Sequence, residues 1–177
     1  MVIWTWVEGA LSDGRPMWLY IAEESGNIVQ SSVCDDQHPR TEDEFISQFG
    51  GRVLRAESDV LSRAAAQVAE YFAGVRLDFD LPFYLAGTPF QRSVWNQLLQ
   101  IPFGVTRTYG ELAETIGHPT AFRAVGNANG RNNLPVFVPC HRVLASGGKL
   151  GGFTGGIGLK KRLLAHEAAV LAARRAA

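Results

Sequence analysis

The chain has almost no cysteine, no long apolar run and no net charge, and each shortage excludes something. Cys34 and Cys140 are the only two cysteines in 177 residues, too few for a disulfide framework and too far apart for a Cys-x-x-Cys metal or redox pair. No uninterrupted apolar stretch approaches the ~18–20 residues of a membrane span. Met1–Glu8 has no basic stretch ahead of an apolar one, so no signal peptide is expected. A soluble, cytoplasmic protein with no membrane partner is the expectation. Hydrophobic residues make up 46% and charged residues 19%, a globular balance that argues against whole-chain disorder and leaves enough apolar surface for a core without disulfides.

The missing net charge hides an asymmetry. Seventeen Lys/Arg cancel seventeen Asp/Glu, but residues 1–90 hold six basic and fourteen acidic groups, net −8, while residues 91–177 hold eleven and three, net +8. Fourteen of the basic residues are Arg, whose planar fork suits phosphate and base contacts. A basic half of this kind fits a polyanionic partner; two halves attracting one another would show the same pattern.

The punctuation divides the chain into residues 1–87 and 88–177. In the first part, Val2–Val7, Met17–Glu23 and Ile28–Val33 read as a strand meander, with turn chemistry at Ser12–Pro16 and Glu24–Asn27. A short helix is expected over Glu42–Phe49, closed by Gly50-Gly51, and one more strand over Arg52–Ala56. Ser58 and Asp59 cap a helix through Phe72 with Leu61, Ala65, Val68 and Phe72 on one face. An extended connector follows. The expected fold is α+β, with a small antiparallel sheet and helices first and a mostly helical part second.

From Thr88 the helix signals sharpen. Thr88-Pro-Phe-Gln91 and Thr108-Tyr-Gly-Glu111 are capping boxes; the first helix should turn Phe90, Val94, Leu98 and Ile101 inward. The second ends near Ile116 and Gly117, and another helix runs from Ala121 to Asn129. Two short helices joined by Gly-His-Pro-Thr have helix-turn-helix dimensions, as does a plain αα-corner. Arg107, Arg123, Arg131 and Arg142 lie in or beside this unit, favouring nucleic acid. Val136–Val138 reads as a buried strand leading into Pro139-Cys-His-Arg-Val143. A glycine-rich loop, 146–156, lacks Walker or Gly-x-Gly-x-x-Gly context, and a helix spans Leu159–Arg175. Cys140, flanked by His141 and Arg142, is the candidate nucleophile, with Glu167 able to orient the imidazole. A small buried hydrophobe fits the same cysteine.

Thr88-Pro-Phe-Gln-Arg-Ser-Val-Trp95, Ile101-Pro-Phe-Gly104, Tyr109-Gly-Glu-Leu-Ala113, Arg123-Ala-Val-Gly-Asn-Ala-Asn129, Pro139-Cys-His-Arg-Val143 and Gly151-Gly-Phe-Thr-Gly-Gly156 occur in that order. Together they resemble the methylated-DNA–protein-cysteine methyltransferases, the O6-alkylguanine-DNA alkyltransferases of DNA repair. The resemblance covers Thr88–Glu167 and implies a ribonuclease H-like first part and a winged-helix-like second. It implies that O6-alkylguanine, and O4-alkylthymine, is flipped from duplex DNA bound through the minor groove. The alkyl group passes irreversibly to Cys140, with His141, Glu167, Asn132 and Tyr109 assisting. Arg123 would fill the gap in the duplex; Thr108, Ala124, Gly126, Asn127, Ala128, Asn129, Gly130 and Arg131 would complete the DNA contacts. Tyr109, Pro135, Val143, Gly152, Phe153, Thr154, Gly155 and Lys160 would line the pocket. No cofactor and no metal are expected, since Cys34 and His38 are two ligands where zinc wants four. The family's Asn-Pro reads Asn132-Asn133 here, which loosens that loop. A monomer is expected, in the cytoplasm or at the nucleoid or nucleus. A lesion sensor or helix-turn-helix regulator without transfer is the alternative, and a cysteine hydrolase a second.

Overall fold

The computed structural model describes residues 1–37, 39–50 and 52–176; His38, the second zinc candidate, and Gly51, half of the expected helix stop, lie outside them. The chain divides into two compact units, Met1–Tyr84 and Leu85–Ala177.

In the first unit, β1 (Val2–Ala10), β2 (Pro16–Glu24) and β3 (Asn27–Asp35) form an antiparallel meander. The β2–β3 turn places Ser25 and Gly26 at φ 52° and 79°, the left-handed pair whose twist matches that of the flanking strands. β4 (Val53–Arg55) then pairs parallel with β1, giving the order β3-β2-β1-β4. The sheet is therefore mixed rather than antiparallel. A β4 that returns across α1 (Glu42–Ser47) reaches the free edge of β1 running in the same direction. α1 opens on a Thr41–Glu44 capping box and lays Phe45 against Trp4 and Tyr20.

Helix α2 (Asp59–Phe72) starts at Ser58 as expected, but buries Ala64 and Gln67 where Ala65 was expected. Gln67 bonds reciprocally to the backbone of Asp80, at 3.1 Å from its amide to the carbonyl and 3.0 Å from the Asp80 N–H to its oxygen. A polar side chain is thus recruited to the inner face to pin the extended connector. That connector continues beside β3, where the Ile28 N–H donates to the Pro82 carbonyl at 2.8 Å.

The second unit is helical. α3 (Pro89–Leu98) has the expected capping box and Pro at its start, and buries Val94, Trp95 and Leu98; Ile101 beyond it is buried too. Phe90 is only half-buried, its ring 6.0 Å from that of His118. β5 (Arg107–Thr108) leads into α4 (Tyr109–Thr115), again on its capping box. After α4, Gly117 at φ 76° lets the Gly117 and His118 N–H groups reach the Glu114 and Ala113 carbonyls at 3.0 and 2.8 Å. This Schellman closure sets the turn into α5 (Phe122–Gly130). α5 begins without a side-chain cap, with Ala121 at its N-cap, one residue after the expected start.

The expected strand over residues 136–138 is absent. Val136 sits at φ 76° in a tight turn in which the Val138 N–H donates to the Leu134 carbonyl at 2.8 Å. Burial made this apolar run look extended, yet the chain reverses inside it. Cys140–Arg142 form a 3₁₀ turn, followed by β6 (Val143–Leu144) paired parallel with β5. α6 (Ile157–Ala176) closes the unit, burying Leu159, Lys160, Leu163, His166 and Glu167. No helix among the described residues is long and apolar enough to cross a membrane.

Candidate active site

The 3₁₀ turn is what assembles the site. Successive residues diverge by about 120° in such a turn, so Cys140, His141 and Arg142 fan out instead of alternating as they would on a strand. Cys140 is 2% exposed. Its carbonyl accepts the Val143 N–H and, at 3.4 Å, the Asn129 side-chain amide from α5. Asn132 holds both ends of the preceding turn: its oxygen accepts the Leu134 N–H at 3.0 Å and its amide donates to the Val138 carbonyl at 2.8 Å.

His141 and Arg142 converge on Glu167 of α6. His141 Nε2 lies 2.9 Å from Glu167 Oε1, and Arg142 binds the carboxylate through Nε at 3.0–3.1 Å and Nη2 at 2.8 Å. The Gly104 N–H donates to Oε2 at 2.8 Å. Gly104 itself is at φ 71°, and a β-carbon there would meet Leu171 Cδ1 at 2.2 Å; only glycine fits both demands. Arg142 also donates to the Ile101 carbonyl at 2.7 Å, and its guanidinium lies 5.6 Å over the Phe103 ring. The sequence placed Arg142 among cations beside the helix pair. It is 6% exposed and fully engaged here, so it is not available to phosphate.

These contacts fix protonation. Burial alone would raise Glu167, but the hydrogen bond from His141 and the hydrogen bonds and charge of Arg142 outweigh it and hold the carboxyl down to about 2. A carboxylate only accepts, so His141 Nε2 must carry the proton that it donates. Burial lowers the His141 pKa against the pull of Glu167, keeping the ring neutral with its lone pair on Nδ1, an atom that has no protein partner. Burial also pushes the Cys140 thiol up to about 11, against the opposing effects of the Asn132 hydrogen bond and the Lys160 charge. The resting nucleophile is thus a protonated thiol with a base beside it in the chain.

Lys160 supplies the nearby cation. It is fully buried and donates to the Val143 carbonyl at 2.5 Å and the Gly151 carbonyl at 3.5 Å, and burial lowers its pKa. Tyr109, at the start of α4, is half-buried; burial raises its pKa, and a thiolate at Cys140 adds to the rise once it forms. A β-carbon at Gly151 would stand 2.4 Å from the Tyr109 hydroxyl, and one at Gly126 3.9 Å from its ring. The tyrosine therefore lies between α5 and the glycine-rich loop.

Among the other pocket candidates, Gly152 and Thr154 are exposed and Phe153 and Gly155 half-buried, with the Phe153 ring 6.4 Å from that of His141. Pro135 and Val143 are buried, as Cys140 itself is. Of the expected DNA contacts, Arg123, Ala124, Asn127, Gly130 and Arg131 are exposed on α5 and its exit, and Gly126 is half-buried. Ala128 and Asn129 are 3% and 2% exposed. They leave the DNA-facing set because α5 turns them inward, where the Ala128 carbonyl accepts the Trp95 indole N–H at 2.9 Å. Thr108 is half-buried and spends its hydroxyl on Glu111. Sequence reasoning missed the Arg142 clamp, the Gly104 amide and the Asn129 tie. Only the Pro-Phe-Gly turn before Val105 hinted at any of them.

Residues 89–169 match the family model of the 6-O-methylguanine DNA methyltransferase DNA-binding domain. A methylated-DNA–protein-cysteine methyltransferase of Methanosarcina acetivorans is 52% identical over 104 residues, 59% of this chain and 67% of the relative. One from Mycobacterium bovis is 53% identical over 106 residues, 60% of this chain but 64% of the relative, less than two thirds of its length. Solved structures match nearly throughout. The Mycobacterium tuberculosis O6-methylguanine methyltransferase superimposes with TM-score 0.75 at 37% identity, over 96% of this chain and 94% of that one. The M. tuberculosis OGT in complex with DNA gives 0.73 at 37% identity, over 93% of each.

Proposed function

Since the chain belongs to the methylated-DNA–protein-cysteine methyltransferases, a family of DNA-repair enzymes, we propose that it extrudes O6-alkylguanine from duplex DNA and moves the alkyl group onto Cys140. The observation that carries this reading is the buried Cys140–His141–Glu167–Arg142 cluster. It sets a protonated thiol next in the chain to a neutral imidazole whose proton is held on Nε2 by the carboxylate, leaving the Nδ1 lone pair without a protein partner. A base stacked in a duplex cannot bring O6 to a thiol that is 2% exposed, so the nucleotide must leave the stack.

In the proposed reaction His141 Nδ1 takes the Cys140 proton, relayed by water, and the thiolate attacks the alkyl carbon. The S–C bond forms as the C–O6 bond breaks, leaving a thioether and a guanine anion. Tyr109 is protonated at neutral pH, as any phenol is, and burial raises its pKa further; its hydroxyl is the donor that neutralises the leaving base. The imidazolium proton then restores the tyrosine. Asn132 and Lys160 oppose the burial of the developing thiolate, the first by hydrogen bond and the second by charge. O4-alkylthymine presents the same alkyl–oxygen bond and is a second substrate of this reading.

DNA would be engaged by α5 in the minor groove, with Arg123 in the gap left by the extruded base and Asn127, Gly130 and Arg131 along the same exposed side. The chain acts as a monomer in this proposal and needs no metal. A thioether has no mild route back, so each molecule reacts once.

Intact-mass spectrometry after incubation with an O6-methylguanine duplex tests it directly. One added CH2, mapped to Cys140 and missing in Cys140→Ala, is the expected result. Lesion binding without a mass change would make the protein a sensor, and catalytic turnover of a small substrate would make it a hydrolase.

A further inference from the structure

Phe122, the first residue of α5, leaves 49% of its surface exposed. A single exposed apolar residue is ordinary on a protein surface; its neighbours make this one informative. Phe122, Gly126 and Asn129 stand at i, i+4 and i+7 and so share one row of the helix. The other two members of that row face the reaction centre. A β-carbon at Gly126 would lie 3.9 Å from the Tyr109 ring, and Asn129 bonds the Cys140 carbonyl. Phe122 continues the row one turn beyond, and side chains lean toward the start of their helix. The ring therefore projects past the end of α5 on the side nearest the reacting cysteine. Its other neighbour is Arg123, whose guanidinium lies 5.7 Å over the ring.

We propose that Phe122 is a second DNA-inserting side chain, a wedge whose ring stacks on the base next to the extruded nucleotide while Arg123 occupies the gap. This deepens the repair reading above and rests on it. Extrusion exposes the face of the neighbouring base, and an apolar ring beside the gap covers that face and replaces part of the lost stacking. The cation–π contact holds the two side chains together before DNA arrives, reducing the freedom lost on insertion. Because every base has a π face, the contact carries no sequence code. It acts on extrusion, not on the chemistry at sulfur.

The test compares alkyl-transfer rates of the parent chain, Phe122→Ala and Phe122→Trp on O6-methylguanine within a duplex and on the free base. The expected result is transfer about tenfold slower from the duplex for Phe122→Ala. The free-base rate should stay within about twofold of the parent's, and Phe122→Trp should restore the duplex rate. A 2-aminopurine next to the lesion should be quenched when the parent binds and brighter with Phe122→Ala. Duplex transfer by Phe122→Ala at the parent rate, or equal slowing on both substrates, overturns the wedge. A parent chain that leaves the duplex lesion untouched overturns the repair reading itself, a separate outcome.

Discussion

Replacing Glu167 with glutamine should damage both stability and chemistry, and the two effects can be read separately. The carboxylate is fully buried and surrounded by donors: His141 Nε2, Arg142 Nε and Nη2, and the Gly104 N–H, all within 3.1 Å. Glutamine keeps the volume, but its NH2 must point at one of these N–H groups, and Arg142 keeps a buried charge with nothing to balance it. Removing one member of a buried pair costs about 3–5 kcal/mol. The depressed pKa, which arises from the same contacts, gives a figure of similar size: a carboxyl held at about 2 instead of 4.5 corresponds to about 3 kcal/mol. The sign follows from the depression. This stability is complete above the unfolded value of 4.5 and is lost as pH falls through about 2. Hydrogen-exchange mass spectrometry on peptides from residues 85–176 should show Glu167→Gln opening about a hundredfold more readily near neutral pH. The gap should narrow on acidification. Alkyl transfer should slow by about 10²–10⁴-fold, because a glutamine amide can donate to Nε2 and move the proton to Nδ1, abolishing the base. Equal opening of the two proteins near neutral pH, or a gap that survives unchanged to about pH 2, refutes this account.

Two further outcomes follow from other parts of the site. Arg123→Ala should slow transfer from the duplex far more than from the free base, because in the proposed reaction the exposed guanidinium meets the DNA and not the thiol; equal loss on both substrates removes it from the gap. The Cys140 thiol, pushed up to about 11 by burial, should react with iodoacetamide slowly near neutral pH. Its rate should climb about tenfold per pH unit without a plateau below about pH 10. A plateau near pH 7 in mass-mapped Cys140 labelling would show a thiol lowered in the resting protein.

Local chemistry made the helices of the second unit legible. Thr88-Pro-Phe-Gln91 and Thr108-Tyr-Gly-Glu111 each satisfy exposed N–H groups within four residues, so their capping boxes appear as read. Gly117 does the same for the end of α4. The cysteine and its imidazole were legible as adjacent residues, and Glu167 as one of the second half's three carboxylates. Features decided by distant packing were not. Val136-Phe-Val138 has strand composition, yet it turns because Asn132 clamps Leu134 and Val138 across it. β4 looked like one more member of an antiparallel sheet, since nothing within residues 52–56 encodes which edge it joins. Arg142 looked like a surface cation; its buried place depends on Glu167, 25 positions later, and on the Ile101 carbonyl, 41 positions earlier.

The resting electrostatics favour restraint over reactivity. Enzymes that turn over repeatedly often lower a cysteine's pKa, holding a thiolate ready. Here the thiol is 2% exposed and raised to about 11, so the free protein carries almost no thiolate near neutral pH. For a protein that reacts once, as proposed, this is the better arrangement, because any stray electrophile that found a standing thiolate would end its use. The groups that can create the thiolate are present but balanced: His141 is neutral, the Glu167 charge is answered by Arg142, and Lys160 is tied to the Val143 and Gly151 carbonyls. Proton transfer from Cys140 to His141 converts this arrangement into an anion flanked by two cations, His141 and Lys160. An extruded base filling the pocket would remove bulk water from around those charges and strengthen their attraction. On this account the lesion contributes both the alkyl group and the dry surroundings in which the thiolate becomes accessible, so selectivity and activation arise from the same event.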